Sequence, residues 1–461
     1  MGIDIEEGLK NKRFSILVIG NPFRFLGGGQ RRIYEVVKCY PELGIDVTLF
    51  IPRTHLLLTK VLQHRFKIKD EQVYGELRKL EKAGVYIPEG TYYELDKIEQ
   101  VLQKDPTLYR REGVRWVFNN FRELLPLIDA NAIKHAKKFV EEENERLRNI
   151  NVIYCMDNFL CHISSGFFLA ATLHLPLFIL LQSPPFISSL RRFLMDEVFG
   201  SRLSERSHLR TILRLLIRSF EQSYFKAKSL YNYSRITNVL RAVFAVSDAA
   251  FRISGLDSWL RKNNVQTKVL FPGNAVDEEL AMHCLRRRID ILGDKEAVAV
   301  FYARLNISKG ILEIPLIAKY LQEHGYKISI MGRFDSIRVQ KVFEKLCMRF
   351  GVKNVEYLGY ITGKQLWDMV ARSKTLIYPS HFDTFSLTVL EALFLGNSVV
   401  AYDIPAIKTV YCGLKPVRIV PEYDYKAMSR EAVNILKMNQ KQFIEEHIDV
   451  KLLNFLKLHS S

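Results

Sequence analysis

The stretch Pro379-Ser380-His381-Phe382-Asp383-Thr384-Phe385-Ser386-Leu387-Thr388-Val389-Leu390-Glu391-Ala392-Leu393-Phe394-Leu395-Gly396 lies between two apolar runs. These are Thr375-Leu376-Ile377-Tyr378 before it and Ser398-Val399-Val400-Ala401-Tyr402 after it. Both runs read as buried strands. Leu387, Leu390, Leu393 and Phe394 recur at helical spacing, so the unit is strand, loop, helix, strand, the repeat of a doubly wound parallel sheet. Such sheets bind ligands beyond the carboxyl ends of their strands, where the loop from Pro379 to Phe385 falls. Asp383 stands in that loop. Glu391 follows on the helix, flanked by Leu390, Ala392 and Leu393, and so is not on a freely solvated face. The plain alternative is a solvated loop acid followed by a helix-surface Glu, because acid pairs eight apart arise by chance.

Working outward, Ala297 to Tyr302 is a further strand. It ends in Ala303-Arg304-Leu305-Asn306-Ile307-Ser308-Lys309-Gly310, followed by a helix to about Glu323. Arg304 and Lys309 thus fall at a strand end and next to a helix start. There a guanidinium fork and a point charge can grip a diphosphate; two exposed basic residues are the ordinary alternative. Lys327 to Ile330 and Val355 to Leu358 are further strands, each followed by a helical pattern. The chain from Ala297 onward is therefore a series of βαβ units.

These two stretches carry a family resemblance. Asp383 to Glu391, with Leu-Glu-Ala, Gly396 and Val399-Val400-Ala401, resembles the acid-x7-acid signature of retaining glycosyltransferases of family 4 (glycosyl transferases group 1). Ala303 to Gly310 resembles the same family's Gly-Arg-Leu-x3-Lys-Gly motif, with Ala303 for the Gly. Phe271-Pro272-Gly273-Asn274-Ala275-Val276-Asp277 resembles its Pro-(Gly)-Asn-x-Val-Asp loop. The chain departs from the family at Asp383, where Glu is usual, and at Ser386, where Gly is frequent. The resemblance implies an α/β fold of two Rossmann-like domains facing a cleft, the GT-B fold, and a nucleotide-sugar-dependent hexosyltransferase that retains anomeric configuration. It implies catalytic roles for Asp383, Glu391, Arg304 and Lys309. Donor binding falls to Arg304, Lys309, Gly332, Asp383, Phe385, Ser386, Leu387 and Glu391, with Glu391 accepting the ribose hydroxyls.

The first part of the chain reads as the same architecture. Strands are expected at Phe14 to Ile19, Ile45 to Phe50, Gly84 to Ile87, Asn151 to Cys155, Phe178 to Leu181, Ala242 to Val246 and Lys268 to Leu270. Helices are expected through much of His55 to Glu81, near Trp116 to Leu127 and over Ala130 to Leu147. After the first strand, Gly27-Gly28-Gly29 leads into a helix. Backbone N–H groups there can hold a phosphate, although the spacing is not G-x-G-x-x-G, and Arg31 and Arg32 would reinforce an anion. Gly28, Gly29 and Asp157 are the candidates for the cleft or acceptor side, with helix capping the alternative for Asp157. The family often carries a His in the loop after the Phe178 strand, where this chain has Gln182. The expected domains are 1–275, with a basic helical insertion at 186–240, and 290–438. The segment to Asp294 reads as a linker, and a helix at about 440–461 is expected to pack back on the first domain.

Composition narrows the partners. Net charge is +17 and 48% of residues are hydrophobic, so the chain has real cores and calls for an anionic partner or surface. The six cysteines include no C-x2-C pair, which speaks against a zinc site and for a reducing compartment. No D-x-D occurs, which disfavours a metal-held diphosphate, and neither metal nor cofactor is expected. Phe186 to Asn238 holds ten Lys/Arg against four Asp/Glu, a net of +6, with Arg206, Arg210, Arg214 and Arg218 on one helical face. This reads as a solvated face or as a surface for anionic lipid headgroups. The start of the chain has no signal-peptide pattern and no run is long enough to span a membrane. The expected partners are a UDP- or GDP-sugar donor, a glycan or lipid-linked acceptor, and an anionic membrane surface on its cytoplasmic face. A nucleic-acid-binding protein and a non-catalytic glycosyltransferase-like subunit are the alternatives; the first lacks any recognisable motif, and no nucleic acid is expected.

Overall fold

The computed structural model describes residues 14–104, 129–189, 198, 208–293 and 295–460. The helix expected near Trp116 to Leu127 lies outside them, as does Arg206. The chain divides into two compact units. One holds residues 1–185, 226–245 and 256–268; the other holds 186–225, 246–255 and 269–461.

The first unit is built on a seven-stranded sheet in the order β3-β2-β1-β4-β5-β6-β7. Its strands are β1 (Ser15–Ile19), β2 (Asp46–Phe50), β3 (Val85–Tyr86), β4 (Val152–Cys155), β5 (Leu177–Leu181), β6 (Leu240–Ala245) and β7 (Gln266–Val269). From β3 to β6 every pairing is parallel. All five residues of β1 are buried, as a strand covered on both faces requires. The chain fills one side of β1 and then the other, so the strand order reverses between β1 and β4.

The second unit repeats the design with six strands in the order β10-β9-β8-β11-β12-β13, all parallel. They are β8 (Glu296–Tyr302), β9 (Lys327–Met331), β10 (Val355–Tyr357), β11 (Ser373–Tyr378), β12 (Ser398–Tyr402) and β13 (Val417–Val420). Here the reversal falls between β8 and β11. Both motif loops, Ala303 to Gly310 and Pro379 to Ser386, emerge from the carboxyl ends of these two paired strands. β11 is buried along its whole length, and the helix Leu387–Phe394 buries Val389, Leu390, Ala392, Leu393 and Phe394 beside it. Each such side chain contributes roughly 1.5–3 kcal/mol on burial, apart from Ala392, which contributes less.

Three features differ from the sequence reading. The segment read as a linker forms the helix Glu278–Gly293. β13 was not expected, because Val417-Arg418-Ile419-Val420 is short and carries a charge. Residues 440–460 and 186–225 group with the second unit. Within that unit Val276 N–H donates to His459 O, Phe385 stacks near His459, and Lys374 lies over the Phe443 ring.

Candidate active site

The site is assembled by two loops that lock together. Asn306 caps the short turn Ile307–Lys309 by accepting from Lys309 N–H at 2.9 Å. His381 N–H donates to Ser308 O at 2.9 Å, which ties the acid loop to that turn. Gly310 follows at φ 78°, and a Cβ there would come within 2.1 Å of Pro379 O. Only glycine allows the two loops this approach.

The consequence is a direct ion pair. Lys309 Nζ lies 2.7 Å from Asp383 Oδ2 and also donates to Phe382 O at 3.1 Å. The same carboxylate accepts from Tyr378 OH at 2.5 Å and from Thr384 N–H at 2.8 Å. Burial alone would push the Asp383 carboxyl up. The Lys309 charge and the three donors outweigh it and hold Asp383 down at about 2. Burial, reinforced by Asp383, keeps the Tyr378 hydroxyl protonated as a donor.

Beyond Asp383 the backbone is held from three sides. Ser247 Oγ donates to Thr384 O, Tyr411 OH to Ser386 O at 2.9 Å, and Tyr302 OH to Thr388 O at 2.8 Å. Ser386 precedes the helix with φ 69° and ψ 64°, a left-handed conformation. The position where the resembled family favours Gly is thus one where the backbone itself asks for it. Phe385 is buried, Leu387 half-buried, and Glu391 is 7% exposed on the helix. Arg304 is exposed at the end of β8. Gly332, at φ 142°, ends β9, and a Cβ there would lie 2.0 Å from Ala303 O, so it too permits a close passage of loops.

Behind the acid loop lies a network the sequence reading missed. His381 Nε2 is 2.5 Å from Glu313 Oε1, its Nδ1 is 3.2 Å from Glu422 Oε1, and Tyr402 OH donates to Glu313. Tyr423 stacks on the imidazole, with ring centroids 4.3 Å apart. An imidazolium donates to both carboxylates at once; a neutral ring donates to one. The signal was His381 itself, a titratable residue inside the decisive stretch. Its partners stand 68 and 41 residues away, beyond any local pattern.

In the first unit the other candidates gather at the carboxyl ends of β1, β4 and β5. Gly27, at φ 153°, opens the helix Gly28–Cys39. Gly29 faces Gln182, whose Nε2 donates to Met156 O at 2.7 Å. Asp157 is buried and accepts from Asn158 N–H at 2.7 Å; the helix Leu160–Leu173 is N-capped by Phe159, so Asp157 does not cap it. Burial pushes the Asp157 carboxyl up to about 7. Arg31 and Arg32 are half-buried rather than solvated.

Residues 285–447 match the family described as Glycosyl transferases group 1. The matched segment contains both motif loops, with Lys309, Asp383 and Glu391. An uncharacterized glycosyltransferase of Methanocaldococcus jannaschii is 29% identical over 127 residues, 27% of this chain and 32% of that protein, so the match spans about a third of the relative's length. Among solved structures, a glycosyltransferase from Rickettsia africae is similar with a TM-score of 0.58 at 12% identity, covering 98% of this chain and 96% of that one. HepE of Anabaena, in complex with UDP-glucose, is similar with a TM-score of 0.52 at 13% identity, covering 96% and 97%. The fold is therefore the GT-B type, with two parallel-sheet Rossmann-like units.

Proposed function

We propose that the protein is a retaining hexosyltransferase that moves a sugar from a UDP- or GDP-sugar to a glycan or lipid-linked acceptor. The observation that carries this reading is the meeting of the two motif loops, Lys309 against Asp383, at the strand-order reversal of the group 1 domain. Arg304 and Lys309 neutralise the diphosphate as the bond to the anomeric carbon breaks, which stabilises developing charge. The N–H groups at the start of the helix Leu387–Phe394, after Phe385 and Ser386, face that charge with the helix dipole. Glu391 accepts the ribose hydroxyls, and Asp383 orients the sugar and Lys309. Gly332 borders the donor. Retention rests on the resemblance of the acid-x7-acid stretch; the acceptor oxygen attacks on the face the nucleoside diphosphate leaves. Acceptor recognition is assigned to the first unit, through Gly28, Gly29 and Asp157. The nucleotide-sugar is a substrate, and no cofactor enters this reading. The test is turnover of a panel of UDP- and GDP-sugars with lipid-linked and free glycan acceptors. A product with the donor's anomeric configuration supports the proposal. Tight donor binding without transfer to any acceptor would favour a non-catalytic subunit instead.

One specific observation favours a membrane-associated acceptor. On the helix His208–Ile236, Leu209, Ile212, Leu213, Leu216, Ile217 and Phe220 form a stripe at helical spacing that is exposed among the described residues; Leu209 is 78% exposed and Phe220 69%. Arg214 and Arg218 flank it; the side chain of Arg210 lies outside the described residues. No described helix is long and apolar enough to cross a membrane. An apolar stripe with basic flanks suits the interface of an anionic leaflet, which on this reading is a cytoplasmic face. Leu216→Glu with Phe220→Glu should abolish sedimentation with vesicles of anionic lipid. Equal sedimentation of that variant and the wild type would contradict the membrane reading.

A further inference from the structure

A cluster of metal-ligating side chains lies in the first unit, away from both motif loops in sequence. His55 stands in the first turn of the helix Arg53–Phe66, beyond the carboxyl end of β2. Cys161 and His162 stand in the first turn of the helix Leu160–Leu173, beyond the carboxyl end of β4. All three side chains are buried, His162 completely, and one ligand atom from each lies within 4.8 Å of the others. The two imidazoles meet edge to face, with centroids 4.3 Å apart.

What marks the cluster is its unmet polarity. His55 Nδ1 and both ring nitrogens of His162 are buried without a hydrogen-bond partner. Buried polar groups in native proteins are satisfied as a rule, and no side chain among the described residues satisfies these three nitrogens. The chemistry of the donor set is specific. Two neutral imidazoles and a thiolate form a borderline-soft set that suits zinc and does not suit calcium or magnesium. Binding through these groups requires neutral imidazoles and loss of the Cys161 thiol proton to solvent. Ligand atoms around a tetrahedral zinc stand about 3.5 Å apart, given bonds near 2.0–2.3 Å. Separations of up to 4.8 Å therefore need to shorten by at most about 1.3 Å.

We infer that His55, Cys161 and His162 bind a single Zn²⁺ ion, which pins the first turns of two helices beside the β1–β4 reversal. The sequence reading expected no metal because the six cysteines include no C-x2-C pair and no D-x-D occurs.

The experiment is a Co²⁺ titration of the full-length, reduced, metal-stripped protein, followed by back-titration with Zn²⁺. The expected result is one equivalent of Co²⁺ with a near-ultraviolet thiolate-to-cobalt charge-transfer band, bleached by Zn²⁺. Cys161→Ser should lose that band. Cys155→Ser should keep it, since the Cys155 thiol donates to His162 O instead. His162→Asn and His55→Phe should each weaken binding by about ten-fold or more. Zn²⁺ should also raise the Tm of the wild type by several degrees. Absence of the band in the wild type, or its persistence in Cys161→Ser, overturns the proposal. Should Cys161→Ser fail to fold, the wild-type band decides alone: its absence overturns the proposal.

Discussion

Lys309 and Asp383, 74 residues apart, form a 2.7 Å ion pair that joins the two motif loops of the second unit. Both side chains are about one-fifth exposed. The pair is therefore neither a screened surface contact nor a sealed one, and an anionic ligand can compete with Asp383 for the lysine.

Removing either cation should cost transfer more than folding. Arg304→Ala is expected to lower kcat/KM by about 10²–10³, the effect of deleting one stabiliser of transition-state charge. Its Tm should stay within a degree or two of wild type, because Arg304 is exposed. Lys309→Met should show a comparable kinetic loss and in addition a loss of about 1–3 kcal/mol of stability, as Asp383 loses its charged partner. Steady-state kinetics beside thermal unfolding separate the two effects.

The Asp383 pair also predicts the acid limb of stability. Asp383 is held at about 2, below its unfolded value near 3.8. A depressed carboxylate contributes stability that is fully present above the unfolded value. That stability is lost as pH falls through the folded one. The size is roughly 2.5 kcal/mol, from just under two units at about 1.36 kcal/mol each. Urea unfolding between pH 5 and pH 2 should therefore show a steeper loss in wild type than in Asp383→Asn. Parallel curves would contradict the pairing.

Ser386 tests the backbone reading. Its left-handed conformation costs a non-glycine residue about 1 kcal/mol, and its side chain makes no capping hydrogen bond that a substitution would lose. Ser386→Gly should raise stability by about 0.5–1 kcal/mol and leave transfer active. Ser386→Val should lower stability by at least as much. Thermal unfolding of the three proteins checks the order.

His381 supports the acid loop from behind. His381→Phe removes the ring nitrogen 2.5 Å from Glu313 Oε1 and leaves that carboxylate, which is 1% exposed, short of a hydrogen-bond partner. Leaving a buried acceptor unsatisfied costs about 1–3 kcal/mol, and more for a charged group. His381→Phe should thus lower Tm by several degrees and weaken donor binding together with it. Chemical unfolding and donor titration on the same preparation check both.

How much of this was legible beforehand follows from where the physics is local. Strands such as β1, β8 and β11 are buried on both faces, so they stand out as apolar runs, and the loops at their ends could be named from sequence. The switch-point position of those loops followed from the order of βαβ units. Edge elements were harder: β13 is four residues with Arg418 inside it, and Glu278–Gly293 reads as polar, with Glu278, Glu279 and Asp290 exposed. Glu313 and Glu422 were missed because their partner His381 stands on another element, Tyr378 because it was read only as part of an apolar strand, and the His55–Cys161–His162 cluster because two helices bring it together. Ser386 was legible only as a departure from the family pattern, and its φ of 69° gives the reason for that pattern.

On the proposed function, the segment 285–447 binds a nucleotide-sugar through the two joined loops. Saturation-transfer NMR of the wild type against UDP-, GDP- and ADP-sugars tests it most directly, with Glu391→Ala and Arg304→Ala as controls. One UDP- or GDP-sugar should be saturated, with its ribose signals lost in both variants while their folds persist. Binding that survives in both variants, or no binding of any donor by the wild type, would contradict it.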